Sequence, residues 1–227
     1  IEDVLQIDEV YFYGAGCHFP EKKEIVKSAI QLLFIKARVE INSDLLGACR
    51  GMLQNKKGIA CILGTGSNSC FYDGASIVEN VPPLGYILGD EGSGAVLGKS
   101  LVADVLKNQM PENLKEIFFA QFQTSTEEVL ENVYKKPFPN RYLAGFSVFI
   151  RENINEKYMY NIVYKSFVDF FERNVMQYDY KNNEIHFVGS IAFYLKNVLE
   201  DVAKDLQINI VQIEQSPMNG LLLYHSK

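Results

Sequence analysis

Short apolar runs of strand length alternate with stretches of helical spacing along the first quarter of the chain. This alternation constrains the fold more than any other feature. Val10 to Tyr13 reads as a buried strand, stopped by Gly14-Ala15-Gly16. Pro20 opens a helix predicted to run to about Lys36, with Ile25, Ile30, Leu33 and Phe34 near helical spacing. Val39 to Ile41 is a second strand, and Asn42-Ser43-Asp44 then offers N-caps for a helix to about Gln54. Strand, helix, strand, helix is the order of an α/β sheet.

Gly58 to Leu63 is a further apolar strand ending in Gly64-Thr65-Gly66-Ser67-Asn68. A strand, the hairpin signal Asp73-Gly74 and Ser76 to Val78 come next. Beyond Pro82-Pro83 lies Gly85-Tyr86-Ile87-Leu88-Gly89-Asp90-Glu91-Gly92-Ser93-Gly94, read as a glycine-rich strand-to-helix turn before a helix that stops near Pro111. The middle, Glu112 to Tyr180, is predicted mostly helical; its stripe of Ile162, Val163, Phe167, Phe170, Phe171 and Val175 reads as core. Ile185 to Val188 is a strand turned by Gly189-Ser190 into a single helix to about Asp205. Ile208 to Ile213 is the last strand, and a final helix starts at Ser216-Pro217.

Composition bounds the function classes. With 227 residues, 48% of them hydrophobic, the chain buries a real core. A net charge of −6 argues against electrostatic binding to nucleic acid or an anionic membrane. Cys17, Cys49, Cys61 and Cys70 form no C-x-x-C pair, and His18, His186 and His225 are scattered, so no metal site is read from them. No run of about 18 apolar residues is present and no signal peptide is read, so the expected compartment is the cytoplasm.

Four turns could carry chemistry, each with a plain structural alternative. The two glycines of Gly64-Thr65-Gly66 let backbone N–H groups approach phosphate oxygens, with hydroxyls on Thr65 and Ser67; the alternative is an ordinary hairpin loop. Asp90 and Glu91 could bind sugar hydroxyls, help position a metal, or cap a helix. Asp44, after a strand's C-terminal end, stands where α/β sheets present active groups, or is itself a cap. Gly189-Ser190 could seat a flat ring, or only allow close helix–strand packing. Gly98-Lys99-Ser100 imitates the end of a P-loop, but the spacing to Gly92 or Gly94 is wrong; Lys99 is read as a solvated helix residue.

Taken together and in order, these pieces resemble the actin-like ATPase superfamily of sugar kinases, acetate kinases, Hsp70 and actin. Leu63-Gly64-Thr65-Gly66-Ser67-Asn68 followed by Leu88-Gly89-Asp90-Glu91-Gly92-Ser93 is similar to the N-acetylglucosamine kinase branch, in the broad family that includes reductase-activating ATPases. The resemblance implies an α/β, ribonuclease H-like fold with two domains around a nucleotide cleft. Residues 1–57 would form an incomplete first domain and 58–227 the second, with the last helix packing back on the first. It implies that Gly64, Thr65, Gly66, Gly189 and Ser190 bind the nucleotide. Asp44 is implied as the catalytic base, and Asn42, Ser43, Ser67, Asn68, Leu84, Gly85 and Asp90 as the sugar site. Animal relatives carry tryptophan where Leu84 stands.

The implied activity is transfer of a phosphoryl group from ATP, with Mg2+, to the 6-hydroxyl of N-acetylglucosamine or a related amino sugar. The expected partner is thus a small sugar, with no nucleic acid, no membrane and a homodimer left open. The family pattern opens with a hairpin such as Asp-Gly-Gly-Gly-Thr-Lys-Thr, which is not found in this sequence. The expectation is that these N-terminal strands are missing from this chain and not from the gene product. Two alternatives stay open: a non-catalytic sugar- or nucleotide-binding regulator, and a reductase-activating ATPase, which would need cysteines at cluster spacing.

Overall fold

The computed structural model describes residues 4–226. The chain is mixed α/β, as the alternation predicts. Strands β1 (Glu9–Gly14) and β2 (Arg38–Ser43) pair in parallel, joined by helix α1 (Pro20–Gln31). Helix α1 ends earlier than its apolar spacing suggests. Leu32 and Leu33 continue the period but are 81% and 69% exposed, so nothing buries a further turn. Helix α2 (Asp44–Leu53) follows β2 directly.

The second sheet contains β3 (Gly58–Leu63), β4 (Ser67–Tyr72), β5 (Ile77–Glu79), β6 (Ile185–Val188) and β7 (Ile210–Glu214), in the order β5-β4-β3-β6-β7. The pairs β3–β4 and β4–β5 are antiparallel, whereas β3–β6 and β6–β7 are parallel. The Asp73-Gly74 signal does make the β4–β5 turn. Asp73 Oδ1 accepts from the N–H groups of Ala75 (2.8 Å) and Ser76 (2.7 Å), and Gly74 takes the left-handed φ of 103°.

Helices fill the interval between β5 and β6. They are α3 (Gly85–Leu88), α4 (Gly94–Leu106), α5 (Glu112–Phe122), α6 (Thr126–Tyr134), α7 (Pro139–Gly145), α8 (Ser147–Glu152) and α9 (Lys157–Arg173). The predicted strand-to-helix turn at Gly89 is therefore a helix-to-helix turn, since residues Gly85–Leu88 coil once before it. After β6 come α10 (Ser190–Tyr194) and α11 (Lys196–Asp205), and α12 (Met218–His225) closes the chain. The single helix expected over 190–205 is thus two, broken at Leu195, whose 2% exposure shows that burial of its side chain accompanies the bend. Among the described residues no helix is long and apolar enough to cross a membrane.

The main core lies between the second sheet and α4, α5, α8, α9 and α11. Phe167, Phe170 and Phe171 are fully buried beside Phe187, so the aromatic stripe is core. Helix α2 covers the other face, where Leu45, Cys49 and Leu53 meet Ala60, Cys70 and Tyr72. The close approach of α12 to α2 rests on glycine: a Cβ at Gly220 would lie 1.8 Å from the Gly51 carbonyl oxygen. Tyr13 ties the last helix to β1, its hydroxyl 2.8 Å from His225 Nε2 while Arg50 donates to it at 2.8 Å.

Candidate functional site

Three corners stand at the C-terminal ends of parallel strands: Asp44 after β2, Gly64 after β3 and Gly189 after β6. Open α/β sheets present ligands at such ends. At the first corner, Ser43 is the N-cap of α2, its Oγ accepting from Leu46 N–H at 3.2 Å. Asp44 is consequently not needed as the cap. It is half-buried, and Leu45 N–H donates to its Oδ1 at 2.9 Å. Burial lifts its carboxyl above the usual aspartate range, and the Leu45 N–H only partly offsets that. Asn42 faces along the strand instead, donating at 2.7 Å to Glu40, which pairs with Arg50 at 3.2 Å.

The second corner is tighter than the five-residue loop read from sequence. Ser67 and Asn68 belong to β4, so the turn is Gly64-Thr65-Gly66 alone, closed by Gly64 N–H to Gly66 O at 2.9 Å. The first amides of α4 hold this turn. Gly94 N–H donates to Gly64 O (2.8 Å) and Ala95 N–H to Thr65 O (3.0 Å), while Ser93 Oγ caps Val96 N–H (3.2 Å). The α4 terminus thus spends those donors on positioning the turn. Thr65 stands exposed at its tip. Asn68 is fixed by Asn80, which donates to its Oδ1 at 2.9 Å and to Ser69 O at 2.6 Å.

Asp90 reaches the same turn. A Cβ on Gly66 would lie 3.0 Å from Asp90 Oδ2, and the Ser67 backbone N–H donates to the carboxylate. Asp90 is 9% exposed, and burial pushes its carboxyl up, helped by the neighbouring Glu91 charge and opposed by the Ser67 N–H. Ser93, not Asp90, caps α4, so neither of the two candidate aspartates is explained by capping. The Pro83–Gly85 loop is tied to Asp90 through the backbone. Leu84 (φ 61°) and Gly85 (φ 75°) are both left-handed, and Asp90 N–H donates to Pro83 O at 2.9 Å. Leu84 is 61% exposed. Lys99 is an exposed residue of α4 whose Nζ donates to Tyr86 O at 2.6 Å, consistent with its rejection as a P-loop lysine.

At the third corner, Gly189 has φ 124° and ψ 160°, a region essentially reserved for glycine. A Cβ there would lie 2.3 Å from Leu63 O, so this turn is pressed against the strand end that feeds Gly64. Ser190 lines a cavity of about 140 Å3 with Ser147, Arg151, Ile191 and Tyr194, and the Arg151 guanidinium lies 4.9 Å from the Tyr194 ring centre. That volume is below the roughly 300–1,000 Å3 of sites that enclose whole ligands, and suits one ring.

The structure therefore joins Gly64–Ser67, Asp90, Pro83–Gly85 and Gly189 into one contiguous group. No hydrogen bond or ion pair among the described residues links Asp44 to that group. Sequence reasoning missed Arg151, Tyr194 and Asn80 as site neighbours, since isolated polar residues on helices and loops carry no local signal. Among the described residues no group of three or more histidine, cysteine or acidic side chains could hold a metal. These residues by themselves do not build a Mg2+ site.

No family model matches the chain. The chain is 47% identical to a candidate N-acetylglucosamine kinase from Porphyromonas gingivalis of known structure, with a TM-score of 0.95 over 99% of this chain and 79% of that one. A candidate N-acetylglucosamine kinase from Chromobacterium violaceum shares the fold at 19% identity, with a TM-score of 0.63 over 82% of this chain and 66% of that one. The glucosamine kinase of Vibrio cholerae is 34% identical over 89 residues, which is 39% of this chain and 30% of that protein. The aligned segment thus spans about a third of the curated relative's length.

Proposed function

The chain belongs to the N-acetylglucosamine kinase family, and from that membership we propose that it phosphorylates the 6-hydroxyl of an amino sugar using ATP. The observation that supports the reading is the contact of Asp90 with the Gly66–Ser67 turn; on this reading the carboxylate binds the sugar and the turn meets the phosphates. Residues 1–57 contribute the base, and 58–227 the nucleotide loops. The relatives named as kinases of N-acetylglucosamine and glucosamine support an amino-sugar acceptor.

In this mechanism the Gly64-Thr65-Gly66 turn meets the phosphates, and the Gly189-Ser190 corner with its small cavity takes the adenine end. Asn68 and the Leu84-Gly85 loop flank the sugar, while Ser43, which caps α2, and Asn42, which binds Glu40, hold the strand end that carries Asp44. Asp44 accepts the proton as the sugar hydroxyl attacks the terminal phosphate in line. Burial raises its carboxyl toward the range useful to a base at neutral pH. A positioned base contributes about 10²–10⁴-fold, or roughly 3–5 kcal/mol of barrier. Mg2+, when bound with ATP, would neutralise phosphate charge; octahedral Mg2+ commonly uses substrate oxygens and water with few protein ligands.

Asp44→Asn in the full-length gene product tests the assignment. It keeps size and an acceptor for Leu45 N–H but removes the proton acceptor. The loss should fall on kcat, with the sugar KM little changed. A near-normal kcat would remove Asp44 from the chemistry.

A further inference from the structure

Asp90 and Glu91 are adjacent, yet their carboxylates have different partners. Glu91 is almost buried, its side chain 11% exposed. Its Oε1 lies 3.0 Å from Arg173 Nη1, and Asn174 Nδ2 donates to its Oε2 at 3.3 Å. Both partners sit at the C-terminal end of α9. One residue further, Gly92 N–H donates to Ser166 Oγ at 3.0 Å, and a Cβ on Gly92 would touch Phe167 and Phe170. Ser166, Phe170, Arg173 and Asn174 recur at the spacing of one helix face, so α9 forms the seat on which the turn rests.

A buried carboxylate is costly unless it is paired and hydrogen-bonded. Phe167 and Phe170 already supply apolar contact between α9 and the turn, so adhesion alone does not call for a charge here. What two donors on one carboxylate add is direction, since each oxygen is held by its own donor, one of them charged. Direction matters because Asp90 has φ 56°, a left-handed backbone that carries a cost for a non-glycine residue, smaller for aspartate than for most.

We propose that Glu91 is a positioning residue: clamped by Arg173 and Asn174, it holds the Asp90 backbone in its left-handed conformation and so aims the Asp90 carboxylate at the Gly66–Ser67 turn. The proposal rests on the reading of Asp90 as a sugar-site residue. Arg173 is a positioning residue at one remove, with 62% of its side chain exposed.

The test uses the full-length gene product and the variants Glu91→Gln, Asp90→Asn and their double. Glu91→Gln preserves shape and the Asn174 contact, and the arginine it releases is already largely solvated, so the variant should fold. Sugar kcat/KM should fall about ten- to hundredfold, as for other displaced site groups, with ATP KM nearly unchanged. The double variant should be no slower than Asp90→Asn alone. Arg173→Lys should retain more rate than Arg173→Ala. Backbone amide exchange gives a readout independent of turnover: Ser67 N–H, held by Asp90, should exchange faster in Glu91→Gln. Unchanged Ser67 exchange, or a Glu91→Gln loss that adds in full to that of Asp90→Asn, overturns the proposal. If Asp90→Asn alone keeps wild-type kinetics, the sugar-site reading of Asp90 fails, and Ser67 exchange still decides the positioning claim.

Discussion

Replacing Gly189 with alanine gives a prediction whose size follows from the coordinates. Two separate penalties arise. The backbone at φ 124°, ψ 160° costs a non-glycine residue about 1–3 kcal/mol. The new Cβ would also lie 2.3 Å from Leu63 O and 2.7 Å from Leu63 C, both backbone atoms, and such overpacking costs about 1–3 kcal/mol. The sum, roughly 2–6 kcal/mol, is a large share of a total stability of about 5–15 kcal/mol. For a chain of this length it lowers Tm by about 4–24 °C. Two controls isolate the terms. Gly16→Ala has the positive φ (77°) with nothing within 4 Å, so it should lose only about 1–2 kcal/mol. Gly145→Ala has neither a positive φ nor a neighbour within 4 Å, and should be neutral or slightly stabilising. Thermal melts rank the three, and nucleotide titration of the surviving Gly189→Ala protein should show weakened ATP binding with sugar binding retained. A Gly189→Ala protein as stable as Gly16→Ala would refute the close contact between the β6 corner and β3. Unaltered ATP binding would refute the role given to that corner.

Further outcomes follow from the same geometry. Because burial raises the folded-state pKa of Asp44, turnover should decline as pH falls through a value above the ordinary 3.8, and Asp44→Asn should lack that limb. A carboxyl with a raised folded pKa stabilises the fold below its unfolded pKa and loses that contribution as pH rises through the folded one. Asp44→Asn should therefore melt higher than wild type at pH 7, with the gap closing near pH 4; a lower melt at pH 7 would mean that the carboxylate is a structural cap after all. Cys49, Cys61 and Cys70 are fully buried, with Cys49 and Cys70 Sγ atoms 3.2 Å apart, so a thiol reagent should find them only on unfolding. Fast labelling of any of the three in the native protein would contradict the packing of α2 on β3 and β4. Gly220→Ala should destabilise by forcing α12 off α2, since its Cβ meets the Gly51 carbonyl; a wild-type Tm would contradict that crossing.

Much of the architecture is legible locally. β1, β3 and β6 are apolar runs ended by glycine, and Asp73-Gly74 dictates its turn through side-chain and left-handed backbone chemistry that needs no distant partner. Boundaries set by tertiary contact are not legible. Leu32 and Leu33 extend the α1 period but find no surface to cover, and Leu195 interrupts a good helical pattern where the core takes its side chain. The site divides in the same way. Gly189 is explained by its φ and its contact with Leu63 O, and Gly66 by the Asp90 carboxylate that would crowd a Cβ, whereas Gly64 has room for one and its glycine has no such steric reason. The clamp on Glu91 is invisible, because Arg173 and Asn174 lie far along the chain and only the fold of α9 across the turn unites them. Ser67 and Asn68 read as loop because small polar residues favour turns, whereas their pairing with β3 places them in a strand.

The most direct test of the kinase reading is product identity. The full-length gene product, incubated with ATP, Mg2+ and N-acetylglucosamine or glucosamine, should release ADP and sugar phosphate one for one, with phosphorus–carbon couplings in the NMR spectrum placing the phosphate on oxygen 6. ADP release that does not depend on the sugar, or a phosphate on the anomeric oxygen, would contradict it.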